Sequence, residues 1–171
     1  GALYANQEQL PVKMGFPLRV LNAGFYGIKN PGWVTEIEVT DHEKRDYWLN
    51  SGWEINKRME VDSKIFFPDE SSTWSVNDTI RIGGAAFGGQ NIASVEYSID
   101  NGNNWMSANI VKKNGDNNVW VFWEVKLTIL VKGNYIFRCR AKDISGITQP
   151  MQDLNGLDGT NSSPRIQLII L

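Results

Sequence analysis

Hydrophobic and polar residues alternate one for one in several short runs, and the clearest lie between Ile92 and Trp123. Val95, Tyr97 and Ile99 alternate there with Glu96, Ser98 and Asp100, the pattern of a strand with one buried face. Asp100-Asn101-Gly102-Asn103-Asn104 stops the run. Its Asn-Gly pair supplies the positive φ angles of a tight hairpin turn, so Trp105 is predicted to open a return strand. Trp120 to Val125 forms the next strand. Further strands are predicted over Asp62–Pro68, Thr79–Ile82, Tyr135–Ala141 and Pro164–Ile170, with Gly83 and Gly84 suggesting a bulge or a close backbone approach. About seven short strands separated by turn signals predict an all-β, immunoglobulin-like sandwich, with no internal repeat and no helix longer than a turn or two.

Residues 1 to about 60 follow a different rhythm. Leu10-Pro11 and Gly15-Phe16-Pro17 break the chain before a short predicted strand, Leu18–Leu21, and a second, Trp33–Val39, alternates cleanly. Asp41 to Met59 is polar but carries Tyr47, Trp48 and Trp53, which implies that it packs on something. Two short strands do not bury a core by themselves. This two-strand segment therefore reads as a strap, or as the tail of a larger domain, with the boundary near residue 60. The opening Gly1-Ala2-Leu3-Tyr4, without Met, fits a processed product or a cloned fragment.

Composition narrows the chemistry. The chain has 171 residues, 42% hydrophobic and 21% charged, as expected for a soluble globular protein. Its 17 Lys and Arg balance 19 Asp and Glu without a basic stripe, so electrostatics suggest neither nucleic acid nor an anionic membrane as partner. The longest apolar run, Leu127–Val131, is too short to span a bilayer. One cysteine excludes an internal disulfide and a multi-cysteine zinc site, and Cys139 alternates in step with Tyr135, Phe137 and Ala141 as a small buried hydrophobe. His42, the only histidine, lies between Asp41 and Glu43 and reads as a solvated loop residue. Asp153 to Gly159 has oxygen ligands at alternate positions but no closing Glu, so an Asx-rich surface loop is preferred to a calcium site. Gly83 to Gly89 precedes a strand and no helix, so it lacks the dipole of a phosphate-cradling loop. These residues yield neither a catalytic constellation nor a metal site.

A specific resemblance runs along nearly the whole chain. Leu10-Pro11, Gly15-Phe16-Pro17-Leu18-Arg19-Val20, Gly24-Phe25-Tyr26-Gly27-Ile28-Lys29, Trp33-Val34-Thr35, Ile37-Glu38-Val39 and Tyr47-Trp48 resemble the end of the molybdenum-cofactor domain of the sulfite-oxidase family. Ile82 to Ala86, Gly88-Gly89, Val95 to Gly102, Trp105, Trp123, Arg140 to Asp143 and Gln149-Pro150 resemble that family's C-terminal dimerisation domain, an immunoglobulin-like sandwich.

The resemblance implies that residues 1–60 are a remnant of the molybdopterin-binding domain plus a linker, and that residues 61–171 are the dimerisation domain. It implies molybdopterin, the molybdenum cofactor, in the intact enzyme, with Arg19 contacting it; a phosphate oxygen suits the planar fork of an arginine. Without the resemblance, Arg19 reads as a surface or ion-paired strand residue. Several positions depart from the family pattern: Met14 replaces a His, Gly32 a Lys, and Gln90 a substrate-facing Arg. The molybdenum-ligating cysteine belongs to a larger N-terminal portion that these residues do not include. The isolated chain is therefore expected to bind no cofactor, to be non-catalytic and to form a homodimer through the sandwich. The competing expectation is a stand-alone sandwich module that binds a protein or a glycan through exposed tryptophans.

Overall fold

The computed structural model describes residues 1–42, 44–54, 58–69, 72–112 and 120–171. The chain forms two compact units: Gly1–Met59 with Leu157–Gly159, and Glu60–Gly156 with Thr160–Leu171.

The second unit is a sandwich of two sheets. Its strands are β3 (Asp62–Phe67), β4 (Thr73–Trp74), β5 (Thr79–Phe87), β6 (Ile92–Ser98), β7 (Met106–Ser107), β8 (Asn109–Lys112), β9 (Val121–Thr128), β10 (Gly133–Asp143) and β11 (Arg165–Ile170). One sheet has the order β3-β5-β9-β8 and the other β4-β11-β10-β6-β7. All pairings are antiparallel except β4 with β11. This is the two-sheet arrangement of an immunoglobulin-like domain.

Alternation decides which side chains fill the space between the sheets. Ile80, Ile82 and Ala86 of β5, Val121, Trp123 and Val125 of β9, and Phe137, Cys139 and Ala141 of β10 are all buried there, with Val95, Ile166 and Leu168. The Trp123 ring stacks on Phe137 at 6.4 Å between centroids, and Phe137 on Tyr97 at 5.7 Å. The predicted hairpin is present: Asn101 (φ 61°) and Gly102 (φ 94°) turn β6 towards β7, with Met106 rather than Trp105 opening the return strand. Asp100 fixes that turn by accepting from Ser98 Oγ, Asn104 N and Asn104 Nδ2 at 2.6, 2.9 and 2.6 Å. These bonds hold its carboxyl down at about 2.

Gly83 and Gly84 serve a close approach. A Cβ on Gly84 would fall within the Lys64 carbonyl group of β3, and one on Gly83 would meet the Phe67 ring. The irregularity in register lies opposite them, between Ile65 and Phe67.

The first unit departs from the predicted strands. Among the described residues its one sheet pairs β1 (Tyr4–Ala5) with β2 (Glu8–Gln9). Leu18–Leu21 and Trp33–Val39 are not strands: Arg19 makes a single bridge to Ala2, and Val39 is 95% exposed. Alternation of residue types had no ladder to act on, because backbone bonds here join loops, including Val20 N to Pro31 O, Trp33 N to Gly15 O and Val34 N to Leu18 O. Tyr47 and Trp48 lie in a one-turn helix, α1 (Tyr47–Asn50), capped by Asp46. Trp48 meets Tyr47 and Trp53 edge-on at 5.3 and 5.8 Å. The predicted packing of these aromatics is therefore largely with one another.

Candidate functional site

Arg19, the one residue assigned a cofactor role from sequence, is half-buried beside two glycines that touch backbone to backbone. A Cβ on Gly15 would lie 2.8 Å from the Gly32 Cα, and one on Gly32 would lie 2.9 Å from the Gly15 Cα. Gly15 also holds a φ of 108°, which suits only glycine. Met14, the residue before it, accepts from Arg19 Nη1 through its carbonyl at 3.1 Å. The same Nη1 lies 3.7 Å from where a Gly32 Cβ would stand, so the guanidinium lies against the paired glycines. Among the described residues no carboxylate pairs with Arg19. A cation held by one carbonyl and left without a counter-ion fits an anionic oxygen. Trp33, whose Nε1 donates to Val12 O at 2.8 Å, pins the neighbouring turn.

The same unit contains an apolar cleft of about 360 Å³ between Tyr26, Ile28, Trp53 and Leu157. Tyr26 Oη donates to Gly159 O at 2.8 Å, and its ring occupies the space a Cβ on Gly159 would need.

The sandwich holds a buried polar group around Gln149, which is 1% exposed. Gln149 Oε1 accepts from Ser63 Oγ at 2.5 Å, and Nε2 donates to Asp62 Oδ1 at 2.7 Å. Asn161 Nδ2 donates to the other Asp62 oxygen at 2.9 Å, and Lys64 Nζ lies 3.5 Å from it. Cys139, fully buried, lies 3.4 Å from Ser63 Oγ. Burial pushes its thiol up to about 12, with a smaller upward push from Asp62. A neutral thiol in that position is packing, as its alternation predicts, and not a metal ligand.

The remaining candidates are dispersed. His42 is exposed and its Nδ1 lies 2.8 Å from Asp41 Oδ1. Asp153 Oδ1 accepts from Asn155 N at 2.8 Å, an Asx turn, as the surface-loop reading expects. Gln90 is exposed after the end of β5. No group of three or more His, Cys, Asp or Glu among the described residues is placed to hold a metal ion. None of their helices is long and apolar enough to cross a membrane.

One surface escaped the sequence reading. Trp123 is 2% exposed, whereas Trp120 is 49% exposed. It stacks on Phe87 at 5.3 Å and lies 6.5 Å from Phe66, while Phe122 emerges two residues further on. These rings stand on the outer face of the β3-β5-β9-β8 sheet. Alternation within Trp120-Val121-Phe122-Trp123 carried the signal, since Val121 and Trp123 face inward and their neighbours therefore face out.

Comparison with known proteins bears on both units. The family model of the Mo-co oxidoreductase dimerisation domain matches residues 53–169, and that of the oxidoreductase molybdopterin binding domain matches residues 2–48. Sulfite oxidase of Arabidopsis thaliana is 29% identical, over 85% of this chain and 44% of its own length. An inducible NADH nitrate reductase of Glycine max is 26% identical, over 87% of this chain and 21% of its own length. The chain thus spans less than half the length of these relatives. The sulfane dehydrogenase SoxCD of Paracoccus pantotrophus shares the fold, with a TM-score of 0.69 and 21% identity over 96% of this chain and 47% of that one. The two matched families follow each other along the chain, and the sandwich predicted from alternation is the one found. The chain belongs to the sulfite-oxidase family of molybdenum-cofactor oxidoreductases, and carries its dimerisation domain.

Proposed function

We propose that this chain supplies the subunit interface and one wall of the cofactor pocket in a molybdopterin-dependent oxidoreductase, and that the 171 residues alone are not catalytic. In this reading residues 1–60 are the last part of the cofactor domain and its linker, and residues 61–171 form the homodimerising sandwich. The observation that carries the interface is the aromatic group Phe66, Phe87, Trp120 and Phe122. Rings between 40% and 51% exposed at Phe66, Trp120 and Phe122 leave apolar surface in water, and in a dimerisation domain a second copy covers such a surface.

Arg19 is the contribution to the pocket. Its charge, which no carboxylate among the described residues offsets, suits the phosphate of molybdopterin. The cofactor, when bound, would supply the molybdenum centre for two-electron oxygen transfer; this chain would supply only a cation that holds and orients its phosphate end. Cys139 takes no part.

The experiment has two readouts. Metal analysis of the purified chain is expected to find no stoichiometric molybdenum, and assays with sulfite or nitrate no turnover. Light scattering is expected to give a dimer for the wild type and a monomer for Trp120→Glu. Bound molybdenum with turnover would overturn the non-catalytic assignment, and a dimer unaffected by Trp120→Glu would overturn the interface.

A further inference from the structure

Four arginines stand on strands of the sandwich, and they divide into two kinds. Arg81 of β5 pairs with Glu124 of β9, and Arg140 of β10 pairs with Glu96 of β6 at 2.6 Å while stacking over Trp105 at 4.0 Å. Arg138 of β10 and Arg165 of β11 instead oppose each other as register partners. Directly opposed residues on antiparallel strands lie roughly 4.5–5.5 Å apart at Cα, and like charges in that relation are destabilising.

Neutral groups surround the pair and orient it without cancelling its charge. Arg138 Nε donates to Asn101 Oδ1 at 2.6 Å, and Nη1 donates to Ser163 O and Oγ at 3.0 and 3.1 Å, while Nη2 makes no hydrogen bond among the described residues. Arg165 is exposed, and no partner holds its guanidinium among the described residues. Asp100, next to Asn101 in the chain, is engaged by Ser98 and Asn104. Desolvation and the facing Arg165 lower the pKa of Arg138, with no carboxylate opposing them. Beside Arg165 a hollow of about 490 Å³ is lined by Asn134, Ile136, Arg165, Ile166 and Gln167, whose two side-chain amides add donors.

We propose that Arg138, Arg165 and the adjoining hollow form a binding site for a tetrahedral oxyanion of the sulfate or phosphate class, on the outer face of the five-stranded sheet. A dianion between the guanidinium groups turns their repulsion into two charge-assisted interactions. The site is separate from Arg19 in sequence and in unit, and it does not rest on the cofactor reading.

Titration of the purified chain with sodium sulfate against sodium chloride at matched ionic strength tests it, read from arginine Nε–H resonances. Saturable shifts of the Arg138 and Arg165 signals are expected, with phosphate acting like sulfate and acetate more weakly. Arg165→Gln removes no internal bond and should weaken sulfate binding roughly tenfold or more, whereas Arg19→Gln should leave the shifts unchanged. No saturable shift at either arginine, equal binding by Arg165→Gln, or an equal response to acetate would overturn the proposal.

Discussion

Gln149 shows how one side chain can organise a buried polar group. Its amide oxygen and nitrogen tie Ser63 and Asp62 of β3 together at 2.5 and 2.7 Å, and its backbone N donates to Ala141 O of β10 at 2.9 Å. Gln149→Leu would leave Asp62 and Ser63 short of partners, and urea denaturation should show a loss of about 2–3 kcal/mol. A loss below the error of the measurement would show that other groups replace the bonds. Cys139 gives a prediction with a defined sign. Its thiol is held at about 12 in the folded protein, above the ~8.5 of an unfolded cysteine. Between those values the unfolded chain has lost a proton that the folded one keeps, so stability falls as pH rises through that window. Denaturation midpoints from about pH 8 to about pH 11 should fall less steeply for Cys139→Ala than for the wild type. Equal slopes would contradict the assignment. The burial of Cys139 was legible from alternation alone. The polar group was not, because Asp62, Cys139 and Gln149 meet only through pairing of distant strands.

At the scale of the element, the β3–β5 pairing depends on glycine. A Cβ at position 84 collides with the Lys64 carbonyl group, a backbone atom set that cannot rotate away. Gly84→Ala should therefore cost roughly 3 kcal/mol or prevent folding, and a wild-type melting curve for this variant would refute the close approach. The β6–β7 turn should respond to acid. Asp100 ionises at about 2, below the 3.8 of an unperturbed carboxyl, so its stabilisation is complete above the higher value and is lost as pH falls through the lower. Turn amides of Asn103 and Asn104 should broaden or exchange faster in that acid range, and Asp100→Asn should remove the transition. The hairpin and the long strands of the sandwich were readable because Asn-Gly turn chemistry and period-two burial agree there. Leu18–Leu21 and Trp33–Val39 misled for the opposite reason: alternation marks a strand only where a neighbouring strand completes its hydrogen bonds.

Across the whole molecule the two units differ in how much they bury. Leu10 is the one hydrophobic residue of Gly1–Met59 buried among the described residues, whereas the sandwich has a core running from Val61 to Ile170. Amide exchange should accordingly be protected most in β5, β6, β9 and β10 and least in the first unit. Uniform protection would show that residues 1–59 are held more firmly than their burial allows. Family membership was legible from ordered motifs spread over both units, and the sandwich from patterning. The exposed aromatic face and the facing arginines were not read, because each depends on knowing which residues become neighbours across a sheet. Sedimentation equilibrium of the intact 171-residue chain tests the central claim most directly, that its sandwich is a homodimerising surface. A reversible monomer–dimer equilibrium, displaced to monomer by Trp120→Glu, is the predicted result; a single species of one chain mass at every concentration would contradict it.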